Sequence, residues 1–272
     1  MKKIINFGLL IMVLFAVEKA AAQQQAQIVP ILEMKVGGLL GGVGRDGKFV
    51  DAKTTFAQLK GKGSYTIYGA KGKVGEMTAE VEAPVPDDPC SDFYSFKTEL
   101  KNVAGIAVGA NPGWNLSPRA GRQIDLNNAV YVKAASDALR AKGIINKAPK
   151  IRQAFRVDLE GDGQEEVLLT ATSYEGYVQP SAKKGSYSFV LLRKIVGGKA
   201  RDIIVTGDFV TKDVNFGVPG KFEISSIADL NGDGKLEIIV YGAYYEGNWI
   251  EAYEMKDDKP AAIEILNVSC GV

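Results

Sequence analysis

Apolar and polar positions divide the chain into stretches of different rhythm. From Ile31 to Val43 the sequence is apolar and studded with glycine, and Arg45-Asp46-Gly47-Lys48 follows as a hairpin-type turn. Ser64–Tyr68 alternates, and Val74–Val81, Phe93–Leu100 and Val103–Val108 read as further strands. Residues 23–125 are therefore expected to form a β-rich N-terminal domain. Pro112, Gly113 and Pro118 mark an irregular stretch that runs to about Ile124. One helix is predicted near 126–142. Ala129, Val130, Val132, Ala135, Ala138 and Leu139 recur at helical spacing, and Asp125 or Asn127 can cap the N-terminus. Arg140, Lys142 and Gly143 suit the other end. Helix and linker together take up 126–149, and the stripe predicts packing on a sheet.

From residue 150 to 272 the pattern is a succession of strands, and it repeats. Arg156-Val157-Asp158-Leu159-Glu160-Gly161-Asp162-Gly163 aligns with Ile227-Ala228-Asp229-Leu230-Asn231-Gly232-Asp233-Gly234, an offset of 71 residues. The same offset carries Tyr174-Glu175-Gly176 onto Tyr245-Glu246-Gly247. Two matches at one offset point to a duplication. Each unit reads as four strands: 154–159, 166–172, 187–194 and 202–209, then 222–230, 237–245, 249–255 and 261–268. Four-stranded antiparallel units in series predict a mainly β protein built from propeller-blade-like repeats. Two blades cannot close a propeller, so the N-terminal region either completes the structure or stands as its own domain.

Charge and composition narrow the chemistry. Formal net charge is +1 with no basic block, which argues against a nucleic-acid partner. The chain has no histidine, which removes Ser-His-Asp catalysis and His-ligated metals. Lys2 and Lys3 precede an apolar run from Ile4 to Val17, then Ala20-Ala21-Ala22 and Gln23. This is the pattern of a secretory signal peptide spanning 1–22, cleaved after Ala22. The run is about 14 residues, short of the ~20 needed to span a bilayer, and no later segment is apolar enough to do so. The mature chain is expected to be exported, either periplasmic or secreted. Export permits Cys90 and Cys270 to pair, and no other cysteine competes. The alternative is two separate buried thiols.

Both units carry an acidic loop of the form D-x-[N/E]-x-D-G-x-x-E. In the second, Asp229, Asn231 and Asp233 alternate, so their side-chain oxygens can converge as the loop curls, and Gly234 permits the turn. The carbonyl of Lys235 and the carboxylate of Glu237 can close an all-oxygen shell suited to Ca²⁺. The first loop offers Asp158, Glu160, Asp162, Gln164 and Glu166 at the same positions. An EF-hand would need an acidic twelfth residue between helices; here that position is Val240, in a strand. The bland alternative is a polar hairpin turn, for which Asp, Asn and Gly are common formers.

The run Asp229-Leu230-Asn231-Gly232-Asp233-Gly234-Lys235-Leu236-Glu237-Ile238-Ile239-Val240 resembles the calcium loop of FG-GAP and VCBS repeats, the integrin-α-like propeller blades of exported proteins. The resemblance covers roughly 150–270 and implies Ca²⁺ bound between two blade strands. It departs at Glu160, where the family has Asp or Asn, and in showing only two repeats.

Other features carry less. Tyr244, Tyr245, Trp249 and Tyr253 could stack on sugar rings, although strand aromatics usually pack inward. Glu175 and Glu246 could be paired glycosidase carboxylates, but their equivalent places in duplicated units favour turns. Gly37-Gly38 and Gly41-Gly42 precede no phosphate-binding helix. The expected function is that of an exported, non-catalytic calcium-binding β-repeat protein, a binding or adhesion module for a protein or glycan ligand. The competing readings are an exported carbohydrate-active hydrolase with calcium as support, and a structural module without an ion.

Overall fold

The computed structural model describes residues 28–86, 90–100, 103–145, 148–217, 219–256 and 259–271. The expected signal segment, 1–22, lies outside the described residues. The protein is mainly β, with three antiparallel sheets.

The N-terminal sheet has seven strands in the order β3-β2-β1-β7-β4-β5-β6 and curls into a half-barrel. Its strands are β1 (Val29–Glu33), β2 (Gly38–Val43), β3 (Phe49–Val50), β4 (Lys62–Gly69), β5 (Gly72–Val81), β6 (Phe96–Lys97) and β7 (Ile106–Gly109). The apolar 31–43 run is thus two strands and a turn, because positive φ at Gly37 lets the chain reverse. The pairing of β1 with β2 shifts between Ile31 and Leu32, and Gly41 lies beside that irregularity. A Cβ on Gly41 would stand 2.5 Å from the Val50 carbonyl and 2.7 Å from Leu266, so glycine lets the C-terminal strand come close. The strand expected over 93–100 is only two residues long. A five-residue helix, α1 (Ala52–Phe56), was not legible in the sequence. Asp51 caps it by accepting from the Thr54 N–H at 2.8 Å.

The first repeat forms β9 (Ile151–Val157), β10 (Glu166–Thr172), β11 (Tyr187–Val196) and β12 (Lys199–Phe209). A short strand, β8 (Arg122–Gln123), extends this sheet to five in the order β12-β11-β10-β9-β8. The second repeat forms β13 (Lys221–Ala228), β14 (Glu237–Ala243), β15 (Gly247–Lys256) and β16 (Lys259–Gly271), a four-stranded meander. The offset of 71 holds through β10 and β14. It then falls to 60, because residues 173–186 join β10 to β11 whereas 244–246 suffice between β14 and β15.

The sheets stack face to face. Phe155, Leu168, Val190 and Leu192 of the first unit meet Phe222, Ile224, Ile238 and Val240 of the second. The other face of the second unit, with Ile239, Ile250 and Leu266, meets Ile31, Leu40 and Val108 of the N-terminal sheet. The helix α2 (Ala129–Ala141) covers the outer face of the first unit. There Tyr131, Ala135, Ala138 and Leu139 pack on Val167, Leu169 and Leu191. Its N-cap is Asn128, which accepts from Val130 N–H at 3.0 Å, rather than Asp125 or Asn127. Asp125 instead accepts from Asn127 N–H one turn earlier. Cys90 and Cys270 form a disulfide with Cα atoms 5.4 Å apart, joining chain segments 180 residues apart. No helix among the described residues is long and apolar enough to cross a membrane.

Candidate metal centre

The two acidic loops connect β9 to β10 and β13 to β14, at the same end of adjacent sheets. They fold alike. The first aspartate of each is a hub for loop amides. Asp229 accepts from Gly232 N–H at 2.6 Å and Gly234 N–H at 3.0 Å. Asp158 accepts from Gly161, Asp162 and Gly163 at 2.7, 3.2 and 3.0 Å. Asp233 accepts from Lys235 N–H and Asp162 from Gln164 N–H, both at 2.8 Å. Asn231 accepts from Asp233 N–H at 3.0 Å. The closing glutamates reach back to the residue after the first aspartate: Glu237 to Leu230 N–H at 2.7 Å and Glu166 to Leu159 N–H at 2.9 Å. Gly234 and Gly163 have φ near +83° and +85°, the left-handed turn expected of them.

The loops also support each other. Leu236 N–H donates to the Leu159 carbonyl at 2.9 Å. Arg119 donates to the carbonyls of Asp158 and Gly234, both at 2.6 Å. The Trp114 indole lies over Gly232 and donates to the Asp229 carbonyl at 2.9 Å. Neither Arg119 nor Trp114 stood out in the sequence; both come from the irregular 112–124 stretch, which has no periodic signal.

Electrostatics separate the loops. Glu237 is 2% exposed and Asp229 3% exposed. Burial, then the neighbouring Asp233 and Asp229 charges, push the Glu237 carboxyl up to about 8. Burial also raises Asp229, with Asp233 adding to it. In the first loop burial raises Glu166 and Glu160 adds to it, but the Lys194 ammonium opposes. Lys194 is itself buried and contacts both Glu160 oxygens, at 3.0 and 2.9 Å. A cavity of about 250 Å³ lies between the loops, lined by Glu160, Asp233, Lys235, Glu237, Glu254 and Lys256. Among the described residues no three Cys, Asp or Glu side chains are gathered into a metal cage. The loop carboxylates hold amides, and of them Glu160, Asp233 and Glu237 line the shared cavity.

The opposite ends of the same sheets carry a second cleft of about 450 Å³. Tyr177, Tyr244, Tyr245, Lys221, Glu223 and Asn248 are among the residues that line it. Tyr177 and the adjoining Phe216 are 65% and 77% exposed. Phe216 meets Tyr245 edge-on, and the Tyr177 hydroxyl donates to the Tyr245 carbonyl. Trp249 and Tyr253 do not join this surface. Trp249 packs on Phe222 and over Gly242, and Tyr253 is buried with its hydroxyl on Glu251. Glu175 lines a neighbouring cavity and is bound by Lys150 and Arg152 at 2.8 and 2.6 Å. Those two cations hold its carboxyl below the usual range.

Family models, curated proteins and solved structures were all compared with the chain, and none matches it.

Proposed function

We propose that this is an exported, non-catalytic, calcium-binding β-repeat protein, similar to FG-GAP and VCBS repeats, that acts as a binding or adhesion module for a glycan or protein. The observation that carries the ion reading is the pair of buried carboxylates, Asp229 and Glu237, on one short loop with Asp233 close enough to disfavour both charges. Three carboxylates held this way repel one another, and a hard divalent cation relieves the repulsion. The donor set is oxygen only, which suits Ca²⁺ over softer metals. Asp229, Asn231, Asp233 and Glu237 would hold the ion with the Lys235 carbonyl.

The disulfide supports export, since oxidising compartments favour such bonds. Exposed Tyr177 and half-buried Tyr244 and Tyr245, at the end away from the loops, line a cleft of ordinary size for small-molecule recognition. The hydrolase reading has less support. Glu175 is neutralised by Lys150 and Arg152, which leaves it poorly suited to donate a proton.

Thermal melting with calcium and with chelator tests the ion reading. Extracellular modules bind Ca²⁺ with Kd of about 10⁻⁴–10⁻³ M, so ~1 mM calcium adds at most ~1.4 kcal/mol. A rise of a few degrees in Tm is expected, and Asp233→Ala should abolish it. Identical melting in both buffers, together with no heat of calcium binding, would leave the loops as polar turns.

A further inference from the structure

The two units diverge most at the end away from the acidic loops. Residues 173–186 join β10 to β11, whereas 244–246 suffice between β14 and β15. The longer connection is pinned to residues 210–217. Ala182 and Val214 exchange backbone hydrogen bonds of 2.9 and 2.8 Å, and Gly217 N–H donates to the Pro180 carbonyl at 2.8 Å. This connection brings Tyr177 across to the second unit, where its hydroxyl donates to the Tyr245 carbonyl. Phe216 comes alongside, edge-on to Tyr245. Two cavities adjoin beside these rings, of about 450 and about 380 Å³, and Gly176, Lys221 and Glu223 line both. Each has the size of a small-molecule site, about 300–1,000 Å³.

The lining points to the chemistry of the occupant. Lys35, Arg152 and Lys221 stand against Glu175, Glu223 and Glu246, three cations and three carboxylates. They are already engaged: Lys35 and Lys221 with Glu223, Arg152 with Glu175 at 2.6 Å, and Glu246 with the Tyr245 hydroxyl. A charged ligand would meet one repelling group for each attracting one, so the balance favours an uncharged ligand. Among the described residues, Val178 and Ala243 are the only aliphatic side chains lining the larger cavity, which leaves no socket for a large aliphatic side chain. Tyr174, from the first Tyr-Glu-Gly turn, lines the smaller cavity. Its hydroxyl oxygen is buried and has no hydrogen-bond partner among the described residues. Burial and the nearby Asp208 charge push it up to about 12, so it stays a protonated donor at neutral pH. A buried donor left unpaired is costly, and a ligand acceptor would relieve it.

We propose that the two cavities form one groove for an uncharged oligosaccharide, with Tyr177, Tyr245 and the adjoining Phe216 packing on the apolar C–H face of one sugar and the Tyr174 hydroxyl donating to a hydroxyl of the next. A sugar ring matches this lining because it carries no charge, presents a flat apolar face and is rimmed by hydroxyls. Aromatic side chains meet the face, and tyrosine adds a polar tip for the rim. This rests on the binding-module reading and deepens it, choosing a neutral glycan as the ligand and placing it between the two Tyr-Glu-Gly turns.

The test is calorimetric titration of the full-length mature protein with neutral oligosaccharides of the cello-, malto-, manno- and xylo-series, and with oligogalacturonate as the acidic arm. One neutral series should bind and oligogalacturonate should not. Within that series the disaccharide should bind about tenfold more tightly than the monosaccharide, because it reaches both cavities. Tyr174→Phe should remove that gain and leave Tm unchanged, since its hydroxyl has no protein partner to lose. Tyr177→Ala, at an exposed position, should weaken the whole series about tenfold. Binding of oligogalacturonate alone, or neutral binding that both variants leave untouched, would overturn the groove while leaving the binding-module reading intact. A fall in Tm for Tyr174→Phe with affinity unchanged would make its hydroxyl structural and overturn its role. No binding of any oligosaccharide would overturn the proposal and leave the module reading to a protein partner.

Discussion

Glu237 is placed where a charge is penalised, and the penalty has a pH signature. Burial raises its folded-state pKa to about 8, above the ordinary glutamate range. The folded protein therefore holds this proton more tightly than the unfolded chain does. The associated stability is fully present at acidic pH and is lost as pH rises through about 8. In chelator, Tm is expected to fall between ~pH 5 and ~pH 8, by an amount on the order of a few kcal/mol in stability. Under the calcium reading, the ion prefers the ionised carboxylate and should flatten the slope. Glu237→Gln should flatten it in chelator too, which melting curves across that pH range will check. A different kind of residue-scale device joins the two units. Gln153 donates to the Ile224 carbonyl at 3.0 Å and accepts from Ile224 N–H at 2.7 Å, next to a register shift in β13. One amide side chain thus satisfies backbone groups that the irregular strand leaves unpaired.

At the scale of elements, central strands differ from edges in a way that predicts mutational cost. Every residue of β10 is buried, because the helix α2 covers one face of its sheet and the second unit covers the other. In β16 only Ile263, Leu266 and Val268 are buried, on the face that meets the N-terminal sheet, and the rest is exposed or half-buried. Leu168→Ala removes a fully buried side chain from the interface between units and should cost about 2–5 kcal/mol in denaturant unfolding. Ile265→Ala, at a 42% exposed position in β16, should stay within about 0.5 kcal/mol. Comparable losses at the two positions would contradict the layered packing.

For the whole molecule, the disulfide and the inter-sheet contacts decide how the N-terminal sheet and the repeats hold together. The Cys90–Cys270 bond closes a long loop, worth up to ~5 kcal/mol in the chain-entropy treatment. The double variant Cys90→Ser/Cys270→Ser should lose a large part of that in equilibrium unfolding. Buried Glu33 adds a polar link, accepting from Ser225 in the second unit at 2.9 Å and from two amides of its own turn. The same stacking leaves the acidic loops at one end of the repeats and the tyrosine cleft at the other. Under the binding-module reading, Tyr245→Ala should weaken glycan retention about tenfold, equivalent to ~1.4 kcal/mol, without altering the calcium response of Tm. Glycan-array binding of both proteins provides the measurement.

The sequence alone pointed to the β class, the two four-stranded units, a helix near 126–142 and two cysteines able to pair. Each follows from local or repeated signals: period-two alternation, a helical stripe, one fixed offset, and two thiols without competitors. It also marked Asp229 and Glu237, because alternate acids before a glycine have a recognisable spacing. Tertiary structure decided the rest. The curl of the N-terminal sheet, the short helix at 52–56 and the two-residue strand at 96–97 depend on non-local partners that no window of sequence contains. Trp114 and Arg119 reach the loops from an aperiodic stretch more than a hundred residues before Gly234. The difference between the two loops was hidden for the same reason. Lys194 and Glu254 occupy equivalent strand positions at an offset of 60 rather than 71, and only the pairing of β10 with β11 and of β14 with β15 brings that equivalence out.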